Sequence, residues 1–256
     1  MSGSRGEQYK RIRLLGKGAF AEVYLVEDCI GRVYACKVCG RPEMLEREAA
    51  LQKSAVHSLF PEVYDFRREE AKGCLLMEYV RGESLETILR REGSFREERA
   101  AAVGVRLAEG LKYLHEREEP LIFRDVKPSN VMLTPEGDVK LLDFGCACPP
   151  GRQADRAGTP GFGAPEQFEP GGLQTAAADI YGLGRTLQVM LGQGSGLLKK
   201  IADRCTARNP EERLPDMRET AELLRLCTGE AEGRMSARQK AVLKGKIRVV
   251  KDICVS

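Results

Sequence analysis

Apolar residues along this chain change their period partway. From Tyr9 to Leu15 basic and apolar residues alternate, as on a half-exposed strand. Val33 to Cys39 is a short apolar, β-prone run broken by one charge, Lys37. Pro61 to Phe66 and Cys74 to Val80 read as two further strands. Between these runs, Pro42 to about Ser54 reads as a helix, with proline near its start, where a missing N–H does no harm. Helices then take over. Ser84 to about Arg91 is a short one, and Val103, Leu107, Leu111 and Leu114 form a single apolar stripe at i, i+4, i+8 and i+11. Ala177 to Gly184 opens a buried helix, and Met217, Ala221 and Leu224 mark a last amphipathic one. A strand-rich first part thus precedes a helical remainder, with no internal repeat or low-complexity tract.

Two polar strings break the apolar segments in a chemically pointed way. Leu121-Ile122-Phe123-Arg124-Asp125-Val126-Lys127-Pro128-Ser129-Asn130 places an Asp, a Lys and an Asn at i, i+2 and i+5. Asp143-Phe144-Gly145 follows thirteen positions after Asn130, behind the apolar run Val139 to Leu142. Two carboxylates and an amide at neighbouring strand ends are what phosphoryl transfer from ATP requires: one carboxylate orients a hydroxyl, and the other, with the amide, supplies oxygen ligands to Mg²⁺. Asp, Lys and Asn are also ordinary turn formers, so the rest of the chain must carry weight. In Leu15 to Val23, Gly16 and Gly18 bracket one residue between two strand-like runs. That is a hairpin whose backbone N–H groups approach phosphates closely, and a strand follows it, unlike a dinucleotide-binding turn. A lone Lys37 in an apolar strand needs an anion; Glu43, Glu46 and Glu48 on the next helix are the candidates.

Composition narrows the class. The 256 residues are 42% hydrophobic and 31% charged, enough for one large domain or two small lobes. There is no Trp, so aliphatic side chains must fill the core, and no apolar run approaches the roughly 20 residues of a membrane span. The polar start, Met1 to Glu7, has no signal-peptide character. Nine cysteines sit singly in apolar segments, which points to a reducing cytoplasm, not a disulfide framework. Cys36 and Cys39 have metal-motif spacing but fall on opposite faces of a strand, against zinc use. The net charge of +3 is uneven: Arg234 to Ser256 holds seven basic residues and one acidic, leaving −3 for the rest. That argues against nucleic-acid binding by the whole protein. The basic residues are interleaved with Val242, Leu243, Ile247, Val249 and Val250, a pattern that suits an anionic membrane surface and equally a solvated or packed terminal helix.

These strings, in this order, resemble the eukaryotic-like protein kinases, from about Leu15 to Leu224. The compact body, Gly158 to Phe162 and Asn209 to Arg213 look most like bacterial members, and Lys127 is the Ser/Thr-type choice. The resemblance implies an α+β, two-lobed fold: an N-lobe (1–80) of antiparallel sheet plus one helix, a mainly helical catalytic C-lobe (81–228), and a basic tail (229–256). It implies ATP held by Leu15, Gly16, Gly18, Val23, Ala35 and Lys37, with Glu48 as partner of Lys37. Glu78 and Val80 would bond adenine through their backbone, with Met77 behind it. Asn130 and Asp143 would hold Mg²⁺, Asp125 would orient the substrate hydroxyl, and Lys127 would steady the transferring phosphoryl group. Asp179 would brace the backbone of the catalytic loop, and Arg213 would pair with Glu166. His115 reads as a capping or surface histidine, and His57 has no assigned role.

The departures matter too. Phe123 stands where the family usually has His, and some members an aromatic, so it reads as packing; Ala21 replaces the third glycine of the hairpin. From Cys146 to Gly158 there is no Ser, Thr or Tyr, so the usual activating phosphosite is absent and Asp155 is a candidate fixed charge for Arg124. Thr159 is expected to contact the catalytic loop. Cys146 would line the cleft, most simply as a small side chain that fits. Only Gly192 to Gly196 joins two helices where the family carries a longer segment that helps dock protein substrates. The expected function is transfer of the ATP γ-phosphoryl group to Ser/Thr of proteins, including itself. A nucleotide-binding scaffold, or a kinase for a small molecule, remains open.

Overall fold

The computed structural model describes residues 9–229 apart from Glu70 and Ala154, so the basic tail lies outside the described residues. Five antiparallel strands, β1 (Tyr9–Lys17), β2 (Ala21–Asp28), β3 (Val33–Cys39), β4 (Val63–Glu69) and β5 (Lys72–Glu78), form a sheet in the order β1-β2-β3-β5-β4. Helix α1 (Pro42–Ser54) lies on one face, where Leu45 and Ala49 pack with Cys39, Val63 and Leu75. Helix and sheet approach closely at Gly73: a Cβ there would stand 3.1 Å from Cα of Pro42.

The remainder is helical: α2 (Leu85–Glu92), α3 (Glu97–Glu116), α4 (Ala176–Leu191), α5 (Leu197–Cys205) and α6 (Met217–Arg225). The expected stripe of α3, Val103, Leu107, Leu111 and Leu114, is buried in one continuous core with Leu183 and Leu187 of α4 and Leu224 of α6. The core does not stop at the sheet. Leu59 and Phe60, in the loop after α1, belong to it, and Leu59 sits so tightly on α3 that a Cβ at Gly110 would fall 2.1 Å from its Cδ2. The Leu59 carbonyl also accepts a hydrogen bond from the N–H of Leu141 (2.8 Å).

A second small sheet, β6 (Glu83–Ser84), β7 (Val131–Leu133) and β8 (Val139–Leu141), pairs Val131 with Leu141. That pairing sets the segment ending at Asn130 beside the one beginning at Asp143, with the N–H of Leu142 donating to the Asn130 carbonyl (2.8 Å).

Two expectations need correction. β1 is exposed along nearly its whole length instead of alternating, because it is a sheet edge with only β2 beside it. β4 begins at Val63, not Pro61: the Pro61 carbonyl is taken by the side chain of Gln52 (2.9 Å), and proline has no N–H to offer a neighbouring strand. The short link Gly192 to Gly196 is closed by Glu97, whose carboxylate accepts from the N–H of Leu198 and so caps α5 (2.8 Å).

Candidate active site

The two halves meet around Lys37. Strand register sets it between Val23 of β2 and Leu75 of β5. Its side chain is 12% exposed, and its ammonium reaches both oxygens of Glu48 (2.7 and 2.8 Å) and Oδ1 of Asp143 (2.9 Å). Of the three carboxylates on α1, Glu48 is thus the partner; Glu43 instead pairs with Arg68 at the surface. Burial alone would lower the Lys37 pKa, but Asp143 and Glu48 hold it above its usual range. Burial pushes the Glu48 carboxyl up to about 7, with the neighbouring charge of Asp143 adding to the rise against the pull of Lys37. Asp143, its side chain 46% exposed, is held below the usual carboxylate range against desolvation, by Lys37 and the N–H of Gly145. Asp143 is therefore the more secure anion beside Lys37, and Glu48 the one that gains a proton first.

The catalytic-loop residues converge equally closely. One oxygen of Asp125 accepts from the Thr159 hydroxyl (2.7 Å) and the other from Lys127 Nζ (2.7 Å), while Lys127 also donates to Thr159 (2.6 Å). Asn130 donates to the carbonyl and carboxylate of Asp125 (2.9 and 3.1 Å), which leaves its own side-chain oxygen for another partner. In the strand register Ala35 faces both Leu25 and Met77, and Leu15 falls at a register break between Leu14 and Gly16. The hairpin tip is closed by the Gly18 N–H donating to Ala21 (2.8 Å). The Glu78 N–H is taken by the Glu62 carbonyl (2.8 Å), and its carboxylate binds Lys140 (2.8 Å). Of its backbone, only the carbonyl therefore stays a candidate for a ligand; Val80 follows, buried.

Backbone strain marks the same loops. Arg124 and Asp143 have φ of 69° and 77°, a region costly for residues with a side chain, on the order of 1–3 kcal/mol each. Asp179 of α4, 0% exposed, holds the first by accepting from the N–H groups of Phe123 (2.8 Å) and Arg124 (2.6 Å). Its third partner is His115 Nε2 (2.8 Å). His115 is therefore neither a surface residue nor a helix cap, because the end of α3 turns it inward onto this carboxylate. Nothing local in the sequence signals that contact. The same holds for the buried Gln167, whose amide donates to the carbonyls of Arg124 (3.0 Å) and Ala157 (2.8 Å).

Arg124 pairs with Asp155, Nη1 to Oδ1 at 2.7 Å, and donates through Nε to the Cys146 carbonyl (2.5 Å). Phe123 packs edge-on against Phe144 (5.3 Å), which meets Phe60 in the same way (5.0 Å), so the aromatic at 123 does serve packing. Arg213 grips Glu166 through two bonds (2.6 and 2.8 Å). Cys146 is half-buried, and burial, with Asp125 and Asp143, pushes its thiol up to about 11, against any special reactivity. His57 stacks on Tyr113 (5.2 Å).

The model of the protein kinase domain matches residues 9–226, so the chain belongs to the protein kinase family. It is 35% identical over 199 residues to the serine/threonine-protein kinase PknA of Corynebacterium glutamicum, covering 70% of this chain and 42% of that protein. It is 34% identical to CBL-interacting serine/threonine-protein kinase 5 of Arabidopsis thaliana, over 72% of this chain and 44% of that one. It is also 34% identical to human RAC-beta serine/threonine-protein kinase, over 70% and 40%. The chain thus spans about two fifths of the length of these relatives.

Proposed function

We propose that this chain is an ATP-dependent protein-serine/threonine kinase with every phosphate-handling group in working position. The observation that carries the reading is the pair of constellations on two adjacent loops: Lys37 bridges Glu48 and Asp143, while Asp125, Lys127 and Thr159 form a closed triangle of hydrogen bonds. The donor set fits the groups that the family uses. The half-exposed Asp143 carboxylate and the side-chain oxygen of Asn130 are hard ligands of the kind Mg²⁺ takes, and Lys37 is a fixed cation for ATP phosphates. Bound Mg²⁺ would offset charge on the phosphates.

The chain's own residues do the rest. Leu15, Val23 and Ala35 offer apolar surface to adenine, and the backbones of Glu78 and Val80 edge it, with Met77 behind. Gly16 and Gly18 let the hairpin backbone come close to phosphate oxygens. Asp125 accepts a hydrogen bond from a donor hydroxyl at the place where Thr159 now donates, and so aims that oxygen. Lys127, already on the same carboxylate, adds a positive charge where negative charge spreads in transfer. Ser/Thr hydroxyls of proteins are the proposed acceptors. All eight cysteines among the described residues are free, which suits a reducing, cytoplasmic setting. Among the described residues no helix is long and apolar enough to cross a membrane.

Incubation with Mg-ATP followed by phosphosite mapping tests the reading. Phosphoserine or phosphothreonine is expected on the protein or on a generic protein substrate. Asp125→Asn should lower turnover by about a hundredfold or more while ATP binding persists. Phosphotransfer absent from wild type and matched by Asp125→Asn would make the chain a nucleotide-binding scaffold instead.

A further inference from the structure

The sheet face turned away from α1 carries a pair of thiols that phosphoryl transfer does not use. Register pairs Cys36 with Leu76 and Val38 with Cys74, so the two cysteines are diagonal neighbours on adjacent strands and share one face. Lys37, between Cys36 and Val38, points to the other face, into the cleft. The Cys74 thiol lies near enough to that of Cys36 to act on it electrostatically. Both are half-buried, and a cavity of about 110 Å³ opens beside them, edged by Tyr9, Arg11, Asp65, Arg67 and Glu69. Two neighbouring thiols at the mouth of such a space are within reach of a small oxidant.

We propose that Cys36 and Cys74 close a reversible disulfide across β3 and β5 under sustained peroxide, and that closing it lowers phosphotransfer; the second half rests on the kinase reading. One thiolate attacks hydrogen peroxide, breaking the O–O bond to give a sulfenic acid and, after protonation, water. The second thiolate displaces hydroxide from that sulfur, which leaves with a proton as a second water. Two thiols are oxidised, one peroxide is reduced, and thiol reductants reverse the bond. Diagonal Cα atoms in a sheet stand roughly 7–8 Å apart, while a disulfide spans about 4.4–6.8 Å. Closure therefore draws the strands together. Cys36 is bonded directly to Lys37, whose ammonium sits 2.7 Å from Glu48, so the displacement reaches the cleft.

The charges around the pair set its pace. Burial first, then the Cys74 thiol, holds Cys36 up at about 11, and burial and Glu69 raise Cys74. Arg11 acts against both and Lys72 against the rise at Cys74. Tyr9, Asp65 and Arg67 are the other titratable or charged groups at the cavity. Oxidation is accordingly slow at neutral pH and speeds up about tenfold per pH unit toward the thiol range.

The test treats the purified chain with hydrogen peroxide at several pH values, alkylates remaining thiols, and reads cross-linked peptides by mass spectrometry alongside phosphotransfer. The expected result is a Cys36–Cys74 link that grows with pH, with activity falling about tenfold or more and returning with dithiothreitol. Cys36→Ser and Cys74→Ser should each keep basal activity and lose that reversible response. No such link at any pH, or links through Cys29 or Cys146 instead, overturns the disulfide. A complete link with unchanged activity overturns the regulatory half. If the untreated chain shows no phosphotransfer, the kinase reading fails, and the peptide link still decides the disulfide.

Discussion

Asp155→Ala removes the carboxylate that pairs with the Arg124 guanidinium, and the structure sets the size of the effect. The Arg124 side chain is 2% exposed and that of Asp155 34%, with contacts of 2.7 and 3.4 Å between guanidinium and carboxylate. Breaking a fully buried pair from one side costs about 3–5 kcal/mol. Here Asp155 is a third open to water, and Arg124 keeps the Cys146 carbonyl, so about 1–2 kcal/mol is the reasonable range. Asp155 also caps its own turn through the N–H of Ala157 (3.2 Å), which ties the loss to this loop. If the ordered loop is the active one, that free energy corresponds to a loss of about 5- to 30-fold in kcat/KM. Asp155→Glu should recover part of it. The assay is initial-rate phosphotransfer with phosphatase-treated enzyme. Wild type should start without a lag, because a carboxylate already stands where a phosphate would otherwise dock on Arg124. Equal rates for Asp155→Ala and wild type would refute the reasoning. So would a long lag abolished by pre-incubation with ATP, with phosphate then found on Thr159 or a distant site.

Other groups in the cleft make further predictions. Because burial raises Glu48 to about 7, acidification through that pH should protonate it and loosen Lys37. Phosphotransfer should fall on the acid side with a midpoint near 7, and Glu48→Gln should be slower but flat across it; parallel profiles would contradict this. His115→Leu removes one of three donors to the buried Asp179. It should cost about 1–3 kcal/mol and lower Tm by about 2–10 °C, with kcat falling more than KM changes. An unchanged Tm and kcat would show that the two backbone N–H groups suffice. The Cys146 thiol, held up to about 11, should be alkylated by iodoacetamide no faster than Cys254 near neutral pH; rapid labelling that ATP prevents would reverse that assignment.

The sequence by itself determined the local parts of this protein. A stripe at helical spacing puts Val103, Leu107, Leu111 and Leu114 inside whatever else is present, and a glycine pair makes a tight hairpin wherever it sits. The motif strings were legible for the same reason: each is a short run whose turn chemistry and side chains act within a few residues. Even Asp155 as partner of Arg124 could be read, because the intervening loop lacks any hydroxyl from Cys146 to Gly158. Only the tertiary structure decided which distant groups meet. Lys37 and Asp143 are 106 positions apart, and His115 and Asp179 are 64 apart. Such contacts depend on how β7 and β8 pair, how Leu59 docks on Gly110, and how α4 runs beneath the loop. Those packings sum many small burial terms spread over the whole chain, so no window of sequence contains them. The exposed edge strand β1 and the diagonal thiols of β3 and β5 belong to the same class: strand order and register, not residue type, set what each side chain faces.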